Sequence, residues 1–158
     1  MKKIWLKPNK EAAVQRFHPW VFSGAIQRIE GEPIDGDEVQ VLDSRGRFLA
    51  VGHYQTGSIT VRLLAYEPVE TDIAFWIQKI QRAFHFRQQL GFNQPEMTNC
   101  YRLVHAEGDG LPGLIIDVYN RTAVVQCHSI GMHKAAPLIT QALLEVISGA
   151  ALCIPIEW

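Results

Sequence analysis

Three glycines, Gly108, Gly110 and Gly113, set the spacing G-x-G-x-x-G inside HAEGDGLPGLIID, residues 105–117. That spacing could cradle a dinucleotide or a methyl-donor cofactor, because backbone N–H groups at the start of a helix attract an anion. The chemistry needs a strand before the loop and a helix after it. YRLVHAE, before it, suits a strand, but LIIDVYNRTAVVQ, after it, is two β-branched runs joined by a two-residue turn. Asp109 would put a negative charge inside the cradle, and Pro112 removes one donor. The expectation is a glycine-rich connection between two strands, with Pro112 stiffening the turn, and no cofactor site.

The segment RFHPWVFSGAI, residues 16–26, offers a different chemistry. Arg16 can pair with a phosphate, and so can Lys10 a few residues earlier. His18 and Trp20 present faces on which an unpaired base could stack, and Ser23 and the Gly24 backbone can donate hydrogen bonds. Packing competes with this reading: Pro19 can fix a turn that sends Trp20 and Phe22 into a core. Phe22 is expected to be core, and Trp20 stays open between core and surface.

Other reactive side chains point to less. Cys100, Cys127 and Cys153 are far apart and odd in number, so they form neither a disulfide framework nor a zinc pattern. Cys127 lies in an apolar run and reads as a small buried hydrophobe. Cys153 has no base or cation near it in sequence. His105 and His128 are expected on neighbouring strands, which is too few ligands for a metal. Glu107 and Asp109 read as turn-stabilising carboxylates, and Asp117 as ordering the turn after its strand.

These side chains need elements to hold them. Residues 1–66 read as short strands: KIWLKP, with Ile4 and Leu6 on one face and Trp5 on the other, then GAIQRIE, VQVLD, FLAVGHY and SITVRLLAY, separated by turn-rich stretches. A short helix fits residues 10–17. Strands at this spacing suggest a small barrel or sandwich. Between 71 and 91 the period changes to three and four, through Ile73, Trp76, Ile77, Ile80, Phe84 and Arg87, an amphipathic helix with Thr71 as N-cap and Gly91 past its end. Residues 101–129 read as three strands and 134–148 as a helix, in which Pro137 costs little if the helix starts near it. The tail AALCIPIEW is apolar.

Composition narrows the class. At 47% hydrophobic residues the chain is not globally disordered, and no apolar run is long enough for a membrane span. MKKIWLKPNKEAAV lacks the apolar stretch of a signal peptide, so a cytoplasmic location is the default. Residues 1–30 carry Lys2, Lys3, Lys7, Lys10, Arg16 and Arg28 against Glu11 and Glu30, an excess of four positive charges on a chain of net charge −1. A basic head on a near-neutral chain suits a phosphate-bearing partner, although an ordinary solvated surface would look the same.

Three stretches, RFHPWVFSGAI (16–26), GRFLAVGHYQTGSITVRLL (46–64) and YRLVHAEGDGLPGLIIDVY (101–119), together resemble the bacterial 23S rRNA cytosine-C5 methyltransferase family, in that order and at those separations. The resemblance covers roughly residues 3–148. It implies an α+β chain: a PUA-like RNA-binding β-barrel at 1–70, a connecting amphipathic helix and linker at 71–97, and a partial β-β-β-α central domain at 98–158, with the Rossmann-like methyltransferase domain absent and the chain truncated. It implies RNA, specifically 23S rRNA, as partner, and Lys10, Arg16, His18, Trp20, Ser23 and Gly24 as the RNA-facing residues. S-adenosylmethionine is implied for the full-length family, whose catalytic cysteines and cofactor loop lie in the absent domain, so none of the chemistry falls on this chain. Neither a metal nor a membrane is expected as a partner. The alternative is a stand-alone PUA-type module that binds RNA or protein without enzymatic activity.

Overall fold

The computed structural model describes residues 2–92, 96, 98–147 and 151–153. The chain divides into two units, Met1–Val69 and Glu70–Trp158.

The first unit holds β1 (Lys3–Leu6), α1 (Ala12–Gln15), β2 (Trp20–Phe22), β3 (Ile26–Glu30), β4 (Glu38–Leu42), β5 (Phe48–Tyr54) and β6 (Ile59–Ala65). They form one six-stranded sheet in the order β2-β6-β5-β4-β1-β3. Every pairing is antiparallel except β1 with β4. The edge strands β2 and β3 are joined by a single 3-10 turn, Ser23–Ala25. The chain itself therefore bridges the two edges of a curled sheet, where a small barrel or sandwich was expected. Alternation decides which face is inside: Ile4 and Leu6 on β1 are fully buried, as are Val39 and Val41 on β4. Val14 on α1 and Val21 on β2 join the same cluster.

On β6 the alternation fails for a structural reason. Val51 on β5 pairs with Ala65 while Gly52 pairs with Leu63, so Leu64 is an extra residue bulged between them. Leu63, Leu64 and Ala65 are consequently all buried.

The second unit holds α2 (Ile73–Gln89), β7 (Cys100–His105), β8 (Leu114–Tyr119), β9 (Thr122–Cys127), α3 (Ile130–Val146) and β10 (Ala151–Cys153). Its sheet runs β10-β9-β8-β7. The pairings β7–β8 and β8–β9 join the three expected strands, and β10 adds a parallel partner to β9, with Ala151 opposite Thr122. The sequence gives little sign of this strand, because a short apolar stretch has no period to read. Residues 148–150 and 154–158 of the tail lie outside the described residues.

Both helices differ from expectation at their starts. Asp72, not Thr71, caps α2, its carboxylate accepting from Phe75 N at 3.0 Å. The helix expected to link two domains packs on α3 and β7 within the second unit. Trp76 and Ile80 are buried there, whereas Phe84 is only half-buried. Helix α3 starts at Ile130, with Ser129 Oγ accepting from Met132 N at 3.3 Å. Pro137 therefore lies well inside the helix, where it offers no N–H to the carbonyl one turn back.

Candidate nucleic-acid interface

The expected RNA-facing residues all fall on one stretch of the first unit, from the loop after β1 to the turn after β2. Helix α1 ends in a Schellman motif: His18 N donates to Ala13 O at 3.0 Å and Phe17 N to Val14 O at 2.9 Å. Pro19 then accepts from Leu63 N at 2.8 Å, which seats β2 against β6. This local path sets His18, Trp20 and Phe22 at a spacing of two, on one side of the chain.

Their rings touch one another. His18 and Trp20 lie 5.8 Å apart at 78°. Trp20 and Phe22 lie 6.2 Å apart at 89°. His18 and Phe22 are 5.9 Å apart. The near-perpendicular pairs are favoured by the ring quadrupoles. His18 Nδ1 lies 3.1 Å from the Trp20 carbonyl oxygen and 3.2 Å from the Trp20 backbone nitrogen, which ties the ring to β2. Phe22, expected in the core, is 46% exposed. Trp20 is half-buried, between the two readings left open for it. The alternation that exposes Phe22 is visible in the sequence once Val21, between the two aromatics, is given to the core.

The cations lie alongside. Lys10 and Arg16 are exposed. Lys10 N donates to Lys7 O at 3.1 Å, and Lys7 Nζ reaches Gly24 O at 2.9 Å, which ties the basic loop to the turn after β2. Lys7 is a neighbour of the patch that the motif alone did not select. Across the ladder Trp20 pairs with Arg62, whose Nη1 donates to Gln55 Oε1 at 3.2 Å. The Ser23 N–H is taken by Ser58 O at 2.9 Å, leaving the hydroxyl as that residue's group for a ligand. A Cβ built at Gly24 meets nothing within 4 Å, so internal packing gives no reason for a glycine there.

The glycine loop of the second unit has a structural use for each part. A 3-10 turn, Ala106–Asp109, passes through Gly110 at φ 67° and Gly113 at φ 87° into β8, a strand and not a helix. Asp109, expected to brace its own turn, accepts from His105 N at 2.6 Å and also holds Arg87 of α2 in a bidentate pair at 2.5 and 2.8 Å. Both side chains are about nine-tenths buried. Two of the loop's donors are taken by the loop itself, Gly110 N by Glu107 O at 3.1 Å and Leu111 N by Ala106 O at 3.0 Å, and Lys79 Nζ lies 3.4 Å from Gly110 O. The loop therefore lacks the helix N-terminus that a phosphate-cradling glycine motif places after it.

The remaining reactive residues separate. β8 lies between β7 and β9, so His105 and His128 are not on neighbouring strands as expected. Among the described residues no group of three His, Cys, Asp or Glu side chains could hold a metal ion. No helix among them is long and apolar enough to cross a membrane. Asp117 forms a bidentate pair with Arg102 across the β7–β8 ladder, at 2.9 and 3.0 Å, and does not order the following turn as expected. That hydrogen-bonded pairing raises the Arg102 pKa. Burial pushes the Cys127 thiol up to about 11. At pH 8 roughly one Cys127 in a thousand is then thiolate, and alkylation mapped by mass spectrometry should reach exposed Cys100 first and Cys127 only as pH rises above about 10. Equal labelling of the two at pH 8 would show that Cys127 is not shielded.

Comparison with known proteins agrees with this division. Residues 4–66 match the family model of the PUA-like domain. The chain is 37% identical over 143 residues to the ribosomal RNA large subunit methyltransferase I of Yersinia pseudotuberculosis and of Yersinia pestis. The match takes in 89% of this chain and 36% of each relative, so the chain spans about a third of the length of the curated relatives it matches. A Streptococcus mutans protein assigned as a SAM-dependent methyltransferase shares its fold at a TM-score of 0.81 and 19% identity, over 95% of this chain and 39% of that one. A second solved chain, assigned as a methyltransferase and crystallised with SAH, matches at a TM-score of 0.81 and 18% identity, over 95% and 38%. The chain is thus an α+β protein whose residues 4–66 match the PUA-like domain model and whose fold is shared by these two solved chains.

Proposed function

We propose that this chain is the RNA-recognition portion of a SAM-dependent methyltransferase that modifies C5 of a cytosine in 23S rRNA. The observation that carries the reading is the contact cluster of half-buried His18 and Trp20 with exposed Phe22, on the same segment as the exposed cations Lys7, Lys10 and Arg16. Rings offer stacking to unpaired bases and cations offer pairing to phosphates. The 37% identity to rRNA large subunit methyltransferases supports the choice of rRNA. The chemistry falls outside this chain: the glycine loop is occupied by the Arg87–Asp109 pair, so the chain supplies affinity and orientation and does not bind the methyl donor. A base must leave its stack before its C5 can be reached, and a surface that holds unpaired nucleotides serves that step.

The test is a salt titration of binding to 23S rRNA transcripts. Binding through phosphates weakens linearly on a log–log scale as salt rises. Lys10→Ala and Arg16→Ala should each flatten the slope by about 0.7 to 0.9, the share of one phosphate contact. Unchanged slopes would remove both residues from the interface. No saturable binding at low salt, or saturable binding of S-adenosylmethionine by calorimetry, would overturn the reading itself.

A further inference from the structure

The residue at the end of α1 is the wrong type for its backbone. In the Schellman motif the position after the C-cap adopts left-handed dihedrals, and glycine is the usual occupant. Here that position is Phe17, at φ 62°. It is the one aromatic side chain among the described residues held at positive φ, a conformation strained for a bulky residue. Burial does not account for it: Phe17 is 68% exposed, with one edge on Tyr66 at 5.0 Å and 77°. A strained backbone that sends an apolar ring into water is a liability to the fold.

The surroundings point to an occupant. Arg16 and His18 flank the ring in sequence, and His18 belongs to the aromatic cluster described above. The first 30 residues carry an excess of four positive charges, complementary to a phosphate backbone and unfavourable to a cationic protein surface. A flat ring next to the Arg16 cation suits a nucleobase, whose π-face stacks on it while a flanking phosphate meets the charge.

We propose that Phe17, braced by Tyr66, is a stacking platform for an unpaired nucleobase, separate from the His18, Trp20 and Phe22 cluster. Two platforms on consecutive segments would hold two unpaired bases of one strand. The inference rests on the RNA reading given above.

The test uses the full chain and a hairpin RNA with a five-nucleotide single-stranded overhang, carrying 2-aminopurine at each overhang position in turn. Stacking on an aromatic ring quenches 2-aminopurine. In Phe17→Gly the motif receives its preferred residue, and relief of strain offsets the lost Tyr66 contact, so Tm should stay within about 4 °C of the parent. Affinity should fall roughly 5- to 150-fold, the range for one base–aromatic stack. Quenching should vanish at one overhang position and persist at another, and Phe17→Trp should restore it. Unchanged affinity and quenching in Phe17→Gly, with the parent still binding RNA, would overturn this inference alone and leave Phe17 as packing on Tyr66. Failure of the parent to bind any overhang RNA would overturn the RNA reading together with it.

Discussion

Asp109→Ala is expected to destabilise the second unit by about 3–5 kcal/mol, the range found when one partner of a buried ion pair is removed. The substitution leaves the Arg87 guanidinium about nine-tenths buried with its Asp109 contacts gone, retaining its donation to Arg102 O at 3.0 Å. It also strips the His105 N–H of its acceptor. Both losses fall where α2 meets the end of β7, so the damage should be felt by the whole unit. Denaturant unfolding followed by a probe in the second unit would measure it as a drop in midpoint. A change below about 0.5 kcal/mol would mean that the pair is solvated and contributes no more than a surface bridge. The double variant Arg87→Met with Asp109→Leu should recover part of the loss, because it removes both charges together. Recovery should stay incomplete, since the Arg102 carbonyl and the His105 N–H each lose a partner.

The same pair shows where sequence reading succeeds and where it stops. The helical period of 71–91 includes Arg87 among apolar positions, so its inward direction is legible. What waits for it inside is not, because Asp109 lies 22 residues away and its partner is fixed only when α2 docks on β7. The strands were legible for the same local reason: FLAVGHY is β5 from its first residue to its last, and Ile4 and Leu6 face inward as alternation requires. The limits of local pattern appear at β10, too short to show a period, and at α3, where Gly131 and His133 hide a start that only the Ser129 cap reveals. At the candidate interface, residue type pointed to a short aromatic and basic segment, and the structure brings its rings into contact. Residue type missed Phe22 and Phe17, because aromatic residues are expected inside and exposure depends on β2 being an edge strand and on α1 ending in a left-handed turn.

Gly52→Ala should cost the first unit about 3 kcal/mol or more, the upper end of what overpacking does, because the obstacle is backbone and not a side chain that can turn away. A Cβ at position 52 would lie 2.2 Å from the Arg62 carbonyl oxygen and 2.9 Å from the Leu63 Cα. Gly52 stands beside the bulge at Leu64, where β5 and β6 approach closely. To admit a methyl group, β5 and β6 must separate at the one place where the ladder is already interrupted. The consequence should reach the interface: β6 seats β2 through the Val21–Val61 and Trp20–Arg62 pairings, and β2 carries the aromatic cluster. Gly24→Ala is the matching control, since its methyl group enters open space on the same unit and should change stability by less than about 0.5 kcal/mol. Denaturant midpoints of the two variants, read alongside RNA affinity, separate a fold defect from an interface defect. Gly52→Ala should lose both stability and binding. If it keeps binding while losing stability, β2 holds its aromatic residues in place without the support of the β5–β6 ladder.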